Sequence, residues 1–203
     1  MILYGASGHA KVIIDTLEAL GKHIDWIVDD DEIREELLGY EVKRNIGKYD
    51  AAIIAIGSCQ LRREKVKILD VKKWETAIHP SAVVSPRATI GEGTVVMAGA
   101  LINACAQVGR HCIVNTGASI GHDVVVSDFA HVAPHATLAG GVTVGEGTWI
   151  GAGSVVKQGI KIGKDCMIGV GSVIVKDIPD GVIAYGNPCK VVRYNTDIIM
   201  NSK

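Results

Sequence analysis

The segment Val144-Gly145-Glu146-Gly147-Thr148-Trp149-Ile150-Gly151-Ala152-Gly153-Ser154-Val155-Val156 carries the pattern that decides the fold. Aliphatic residues stand six apart at Val144, Ile150 and Val156, and a small residue follows each of the first two by four, at Thr148 and Ser154. Extended both ways, the aliphatic column runs Ile78, Val84, Ile90, Val96, Ile102, Val108, Val114, Ile120, Val126, Val132, Leu138, Val144, Ile150, Val156, Ile162, Ile168 and Ile174, seventeen consecutive positions without an insertion. The companion column is Ala, Thr, Cys or Ser in thirteen cases and Val or Ile in four (Val124, Val142, Ile160, Ile178). A fixed period sustained this long marks a repeat architecture. Each hexapeptide reads as a short strand and a turn, with the aliphatic residue inside a narrow prism and the small one where the coil bends. Gly or Asp three residues after the aliphatic, as at Gly93, Gly117, Gly147 and Asp165, suits turns that need positive φ. Three hexapeptides close one triangular coil, and nearly six coils stacked at strand spacing make a prism roughly 27 Å long.

Upstream the grammar differs. Ile2-Leu3-Tyr4 reads as a strand ending in Gly5-Ala6-Ser7-Gly8-His9, and a helical face of Val12, Ile13, Leu17 and Leu20 follows, stopping at Gly21. Ile24–Val28 is a second strand, closing on Asp29-Asp30-Asp31; Ala51–Ile56 is a third, ending at Gly57; Leu61–Leu69 is a helix. Strand–helix alternation predicts parallel strands. The expected organisation is therefore a small Rossmann-like α/β domain with a parallel sheet over 1–75, then a parallel β-helix domain over 76–203. The segment Lys176–Asn201 leaves the repeat and is expected to cap the prism, whose end would otherwise present unpaired strand edges.

Composition narrows the classes. Aromatic residues make up 4 % and glycines number 24, which favours a repetitive aliphatic core. A formal net charge of −1 gives no reason to expect a nucleic-acid partner. No apolar run nears the roughly 18 residues of a membrane span, and the N-terminus lacks a basic region of secretory type; a cytoplasmic location is expected. The five cysteines, Cys59, Cys105, Cys112, Cys166 and Cys189, form no CxxC pair and are read as reduced and structural.

The repeat resembles that of the hexapeptide-repeat acyltransferases, which fold as left-handed parallel β-helices. Gly186-Asn187-Pro188-Cys189-Lys190-Val191-Val192 is similar to that family's terminal GNPAKVI signature, with Cys in place of Ala. The N-terminal Gly5-Ala6-Ser7-Gly8-His9 narrows the resemblance to sugar acetyltransferases, the UDP-4-amino-sugar (bacillosamine-type) N-acetyltransferases and the sialic acid O-acetyltransferase-like group. The resemblance implies acetyl-CoA as co-substrate, no metal, and a UDP-linked amino sugar of 4-amino-6-deoxy type as acceptor, in bacterial glycan biosynthesis. In Asn115-Thr116-Gly117-Ala118-Ser119-Ile120-Gly121-His122-Asp123 it makes His122 the general base, Asp123 its acidic neighbour and Asn115 an active-site residue. It matches His131, Ala152 and Val170 to CoA contacts. Ser7, Gly8, His9, Asp29, Asp30 and Gly57 would hold the nucleotide sugar.

Acetyl transfer to an amine needs a base near neutrality, and imidazole suits it. His122, two residues after the inward Ile120, faces outward: base and exposed turn histidine are the two readings. Positions eighteen apart stack on one edge of the prism, as Pro134, Ala152 and Val170 do, whereas His122 belongs to another edge. One protomer cannot readily bring both edges to one acetyl group, so a homotrimer with sites between subunits is expected. His135 is read as a surface or groove-shaping residue, His111 as solvated, and His79 as structural. The turn after the first strand is a phosphate-cradling arrangement at a helix start, with Asp29, Asp30 and Gly57 at the same sheet edge; tight turns with a solvated acidic loop are the plain alternative. The runner-up activity is sugar O-acetylation, and a non-catalytic scaffold that binds CoA or a nucleotide sugar is the third reading.

Overall fold

The structure is a computed structural model that describes residues 1–30, 35–44 and 47–196. The last of the three acidic residues, Asp31, and the end of the expected cap, residues 197–201, lie outside the described residues. The N-terminal sheet comprises β1 (Ile2–Tyr4), β2 (Ile27–Val28), β3 (Glu36–Leu37), β4 (Tyr40–Lys43), β5 (Lys48–Ile54) and β6 (Asp70–Trp74), in the order β3-β4-β2-β1-β5-β6. All neighbours are parallel except the β3–β4 hairpin. The hairpin and β6 were not legible in the sequence, where polar residues dominate both; the expected strand over 24–28 is only its last two residues. Helix α1 (Gly8–Ala19) lies on one side of the sheet and α2 (Cys59–Ile68) is the second helix.

Leu3, Ile27 and Ile53 bury toward α1, whose inward stripe is Ala10, Ile13, Ile14 and Leu17. Ile2, Tyr4, Val28, Ala52 and Ile54 bury toward Leu69 and Val66 on the other side. This alternation is the two-residue period of a strand. The order places β1 between β2 and β5, so the carboxyl ends of these three strands share one crevice, the ligand position in such sheets.

From Ala77 to Ile174 the chain makes seventeen two-residue strands, each pairing in parallel with the strand one coil away, as Val95–Val96 does with Ile113–Val114. The first face stacks the strands that begin at Ala77, Val95, Ile113, His131, Trp149 and Met167; the second, those at Val83, Leu101, Ser119, Thr137, Val155 and Val173; the third, those at Thr89, Gln107, Val125, Thr143 and Lys161. The second residue of each strand points inward, and the column of small residues joins it in one continuous core. Where that column is polar, the hydroxyl is satisfied in place: Thr94 Oγ1 donates to Gly109 O (2.7 Å) and accepts from Cys112 N (2.9 Å). Cys112 and Cys166 occupy the same column as free thiols, and burial pushes the Cys112 thiol up to about 12. Positive φ falls at the expected corner glycines and at Asp165, but also at Cys105, His111, Asp123, Phe129 and His135.

The strand Val182–Gly186 extends the first face beyond Met167–Ile168, and Cys189–Tyr194 folds back antiparallel on it. The cap therefore extends one face of the prism. Among the described residues, no helix is long and apolar enough to cross a membrane.

The N-terminal sheet is not a pendant unit. The outward residues of the first face, Ala77, Val95 and Ile113, share one buried cluster with Leu3, Ala10, Ile13 and Ile53. The residue before each inward aliphatic runs Ala-Val-Ile-His-Trp-Met on this face, whereas on the third face it runs Thr-Gln-Val-Thr-Lys.

Candidate active site

His122 and Asp123 sit at the corner that follows Ser119–Ile120 on the second face, both about two-thirds exposed (side chains 65 % and 64 %). Asp123 takes φ 58°, a conformation Asp tolerates. Its Oδ2 lies 2.7 Å from His122 Nδ1. A carboxylate only accepts, so a neutral His122 carries its proton on Nδ1 and leaves the Nε2 lone pair unprotonated. The ring rests on the next coil: a Cβ on Gly140 would stand 2.5 Å from both Cε1 and Nε2. Gly140 is thus the floor that lets His122 adopt this position.

Asn115 lies at a different corner, the one following the first face, in the edge shared by Pro134, Ala152 and Val170. The corners are laced by backbone bonds such as Gly153 N to Pro134 O (2.9 Å) and Gly171 N to Ala152 O (2.8 Å). Val170 is 77 % exposed and Ala152 half-buried. Asn115 Oδ1 accepts from Thr116 N (2.8 Å), so its amide nitrogen is the group 3.0 Å from His131 Nε2. His131 Nε2 must then accept, and Nδ1 carries the proton toward Gly57 O (3.3 Å). His131 is 3 % exposed, packed on Trp149 with ring centroids 4.1 Å apart. Burial first, then the charges of Arg62 and His9, pushes its imidazole down to about 3, so it stays neutral. The structure thus joins Asn115 to His131 and His122 to Asp123, and sets the two pairs on different corners.

At the sheet crevice, Ser7 and Gly8 are exposed at the start of α1, and Ser7, the N-cap residue, makes no side-chain cap bond. Asp29 Oδ2 accepts from Ala6 N at 2.5 Å and pins the loop. Asp30 accepts from Tyr4 OH (2.6 Å) and pairs with Lys65, and the Lys65 bond first, then the Tyr4 bond, holds its carboxyl below the usual range. His9, its ring 6.0 Å from that of His131, has a buried Nε2 with no hydrogen-bond partner; burial and then Arg62 push its imidazole down to about 4. Gly57 stands between crevice and β-helix, bonded to His131. A cavity of about 240 Å³ opens beside it, walled by Ser58, Gln60, Arg63, Trp149 and Met167.

One histidine departs from its sequence reading. His111 is not solvated: it is 3 % exposed, stacked on Phe129 at 5.3 Å and edge-on to Trp74 at 5.0 Å. The corner it occupies lies under the N-terminal unit, which the repeat alone does not reveal. His135 is exposed, its ring over Gly117, and His79 Nδ1 accepts from Ser81 N at 3.0 Å in a local turn. Sequence reasoning missed Arg62 entirely. Among the described residues no group of His, Cys, Asp and Glu could hold a metal ion.

Residues 1–69 match the PglD N-terminal domain family, and residues 141–176 match the bacterial transferase hexapeptide (six repeats). The solved structure of PerB from Caulobacter crescentus, in complex with CoA and GDP-perosamine, is 40 % identical, with TM-score 0.87 over 94 % of this chain and 96 % of that one. The acetyltransferase domain of PglB from Neisseria gonorrhoeae, in complex with acetyl coenzyme A, is 35 % identical, with TM-score 0.85 over 94 % and 98 %. The UDP-N-acetylbacillosamine N-acetyltransferase of Bacillus subtilis is 39 % identical over 109 residues, and the match spans about half of either chain (47 % of this one, 50 % of that one). With a parallel sheet on a hexapeptide β-helix and relatives of this identity over nearly its whole length, the chain belongs to the hexapeptide-repeat sugar N-acetyltransferases.

Proposed function

We propose that the protein transfers the acetyl group of acetyl-CoA to the amine of a UDP-linked 4-amino-6-deoxy sugar, with His122 as general base. The observation that carries the base assignment is the His122–Asp123 contact, which fixes the tautomer and leaves the Nε2 lone pair unprotonated beside Gly140. The sugar amine attacks the thioester carbonyl, and Nε2 takes the proton that nitrogen loses. Collapse of the tetrahedral adduct breaks the C–S bond, and the imidazolium returns the proton to the departing thiolate. The products are an amide and CoA, and no acyl-enzyme or metal is required. Asp123 stabilises the imidazolium, and Asn115 supplies an amide donor on the acyl side. Exposed Val170 and its stacked neighbour Ala152 line the CoA arm, with His131 behind that edge.

The nucleotide end is assigned to Ser7, Gly8, His9, Asp29, Asp30 and Gly57. Support comes from the free Ser7 hydroxyl and exposed N–H groups at the start of α1, which suit a diphosphate, and from the unpartnered Nε2 of His9. A GDP-linked acceptor is the second reading, favoured by the 40 % identity to a structure holding GDP-perosamine. Because His122 and Asn115 occupy different corners, a homotrimer completes each site with one subunit's base and the next subunit's acyl edge. Exposed Val83, Leu101 and Val155 on the second face, 64, 43 and 46 % accessible, are apolar surface fit for that packing.

The test is thiol release from acetyl-CoA with UDP-4-amino-4,6-dideoxy sugar and with GDP-perosamine, alongside calorimetric binding of UDP and GDP. Turnover with the UDP sugar and a loss of roughly 10²–10⁴-fold in His122→Ala is expected. Full activity in that variant overturns the base assignment, turnover of the GDP sugar alone overturns the nucleotide, and sedimentation as a monomer overturns the shared site.

A further inference from the structure

Arg62 is 1 % exposed, the largest fully buried side chain among the described residues, yet every acceptor it meets is neutral. All five N–H donors of its guanidinium meet acceptors. Nε donates to His111 O (2.7 Å); Nη1 donates to Ile56 O (2.8 Å) and Gly57 O (3.0 Å). Nη2 donates to Phe129 O (2.7 Å) and Ala130 O (3.4 Å), with Cys59 Sγ at 3.7 Å. A buried cation without a carboxylate is costly, and only a complete set of carbonyl dipoles makes it tolerable. Two of those carbonyls belong to the loop closing β5, and three belong to coils of the β-helix. On α2 itself, Leu61 and Ile68 are exposed at 48 and 69 % while Arg62 is buried. Besides Arg62, the buried residue of α2 is Cys59.

Gly57 O is the junction. It accepts from Arg62 Nη1 and also faces His131 Nδ1, and His131 Nε2 faces the Asn115 amide. We infer that Arg62 is a positioning residue. By fixing the Gly57 carbonyl between the nucleotide crevice and the β-helix, it holds His131 in its Nδ1–H tautomer and so orients Asn115 for acetyl transfer. With Thr116 N on Oδ1 and His131 on one amide hydrogen, Asn115 keeps a single remaining donor of fixed direction. A lysine retains the charge but offers at most three donors from one point and cannot span both sides.

The inference rests on the acetyltransferase reading above, and the experiment separates the two. The full-length protein and its Arg62→Met and Arg62→Lys variants are labelled with ¹⁵N-histidine, the His131 signals assigned with His131→Gln. Imidazole nitrogen shifts report the tautomer, steady-state kinetics give kcat and both KM values, and circular dichroism with sedimentation verifies the fold. We expect His131 as a single Nδ1–H tautomer in the parent and a tautomer mixture in Arg62→Met. Its kcat should fall at least tenfold, with KM for acetyl-CoA within twofold. Arg62→Lys, the milder change should Arg62→Met fail to fold, should lose about fivefold in kcat. A folded variant of either kind with parental kcat, or with the His131 tautomer unchanged, overturns the inference. If the parent acetylates neither sugar, the acetyltransferase reading fails, while the tautomer comparison still decides the role of Arg62.

Discussion

The Gly140→Ala substitution tests the placement of His122 without touching the imidazole. Gly140 has ordinary backbone geometry, so alanine meets no conformational penalty there. Its methyl carbon would, however, lie 2.5 Å from His122 Cε1 and Nε2 and 3.1 Å from Cδ2. Carbon contacts settle at about 3.5–4.0 Å, so the ring must retreat by about 1 Å. The side chain is 65 % exposed, so it can swing into solvent, but only by leaving the 2.7 Å contact with Asp123. A displacement of that size at a reacting group costs on the order of 10²-fold in rate. Stability should scarcely change. Gly→Ala at a compatible site gains about 0.4–1 kcal/mol through the unfolded chain, which offsets the lost ring packing, and Tm should move by no more than about 2–4 °C. Thiol release from acetyl-CoA should therefore show a kcat loss of about 100-fold with KM for acetyl-CoA unchanged. The Gly140→Ala/His122→Ala double variant should be no slower than His122→Ala alone, because both changes remove one function. A Gly140→Ala enzyme with parental kcat, or a double variant slowed by the product of the two effects, would refute the reasoning.

Two further outcomes follow from burial. His9, His111 and His131 have imidazoles pushed down to about 4, 4 and 3, burial being the first cause in each, so the unfolded chain binds their protons before the folded one does. Stability is then complete above the unfolded value of about 6.5 and falls as pH drops toward 4, at up to roughly 1.4 kcal/mol per pH unit for each histidine held neutral. Urea unfolding at pH 7, 6, 5 and 4 should show this slope, and His131→Gln should flatten it; an identical slope would remove His131 from the account. Ile113→Ala deletes a fully buried outward residue under the N-terminal unit and should cost about 2–5 kcal/mol, read by urea midpoint. A loss below about 0.5 kcal/mol would mean that the unit does not rest on that face as described.

The β-helix was legible because its rule is local: the inward residue of each strand and the small residue four later sit within one hexapeptide, and the period repeats them along one axis. The outward turn position of His122 and its adjacency to Asp123 came from the same local rule. The crevice residues were legible in part, since glycines at a strand end and acids at the next signal a sheet edge in sequence. The polar strand β6 and the β3–β4 hairpin left no such mark.

What the sequence determined by itself was thus the prism, its three faces, and which residues turn outward at its corners, because each depends on neighbours within a coil. Only the tertiary structure decided which face the N-terminal sheet covers. That contact turned His111 from a solvated corner into a buried ring, placed His131 between Gly57 and Asn115, and buried the charge of Arg62 among carbonyls of segments 49 to 68 residues away. Whether an outward residue meets water or a distant segment is set by packing between remote parts of the chain, and no local period encodes it.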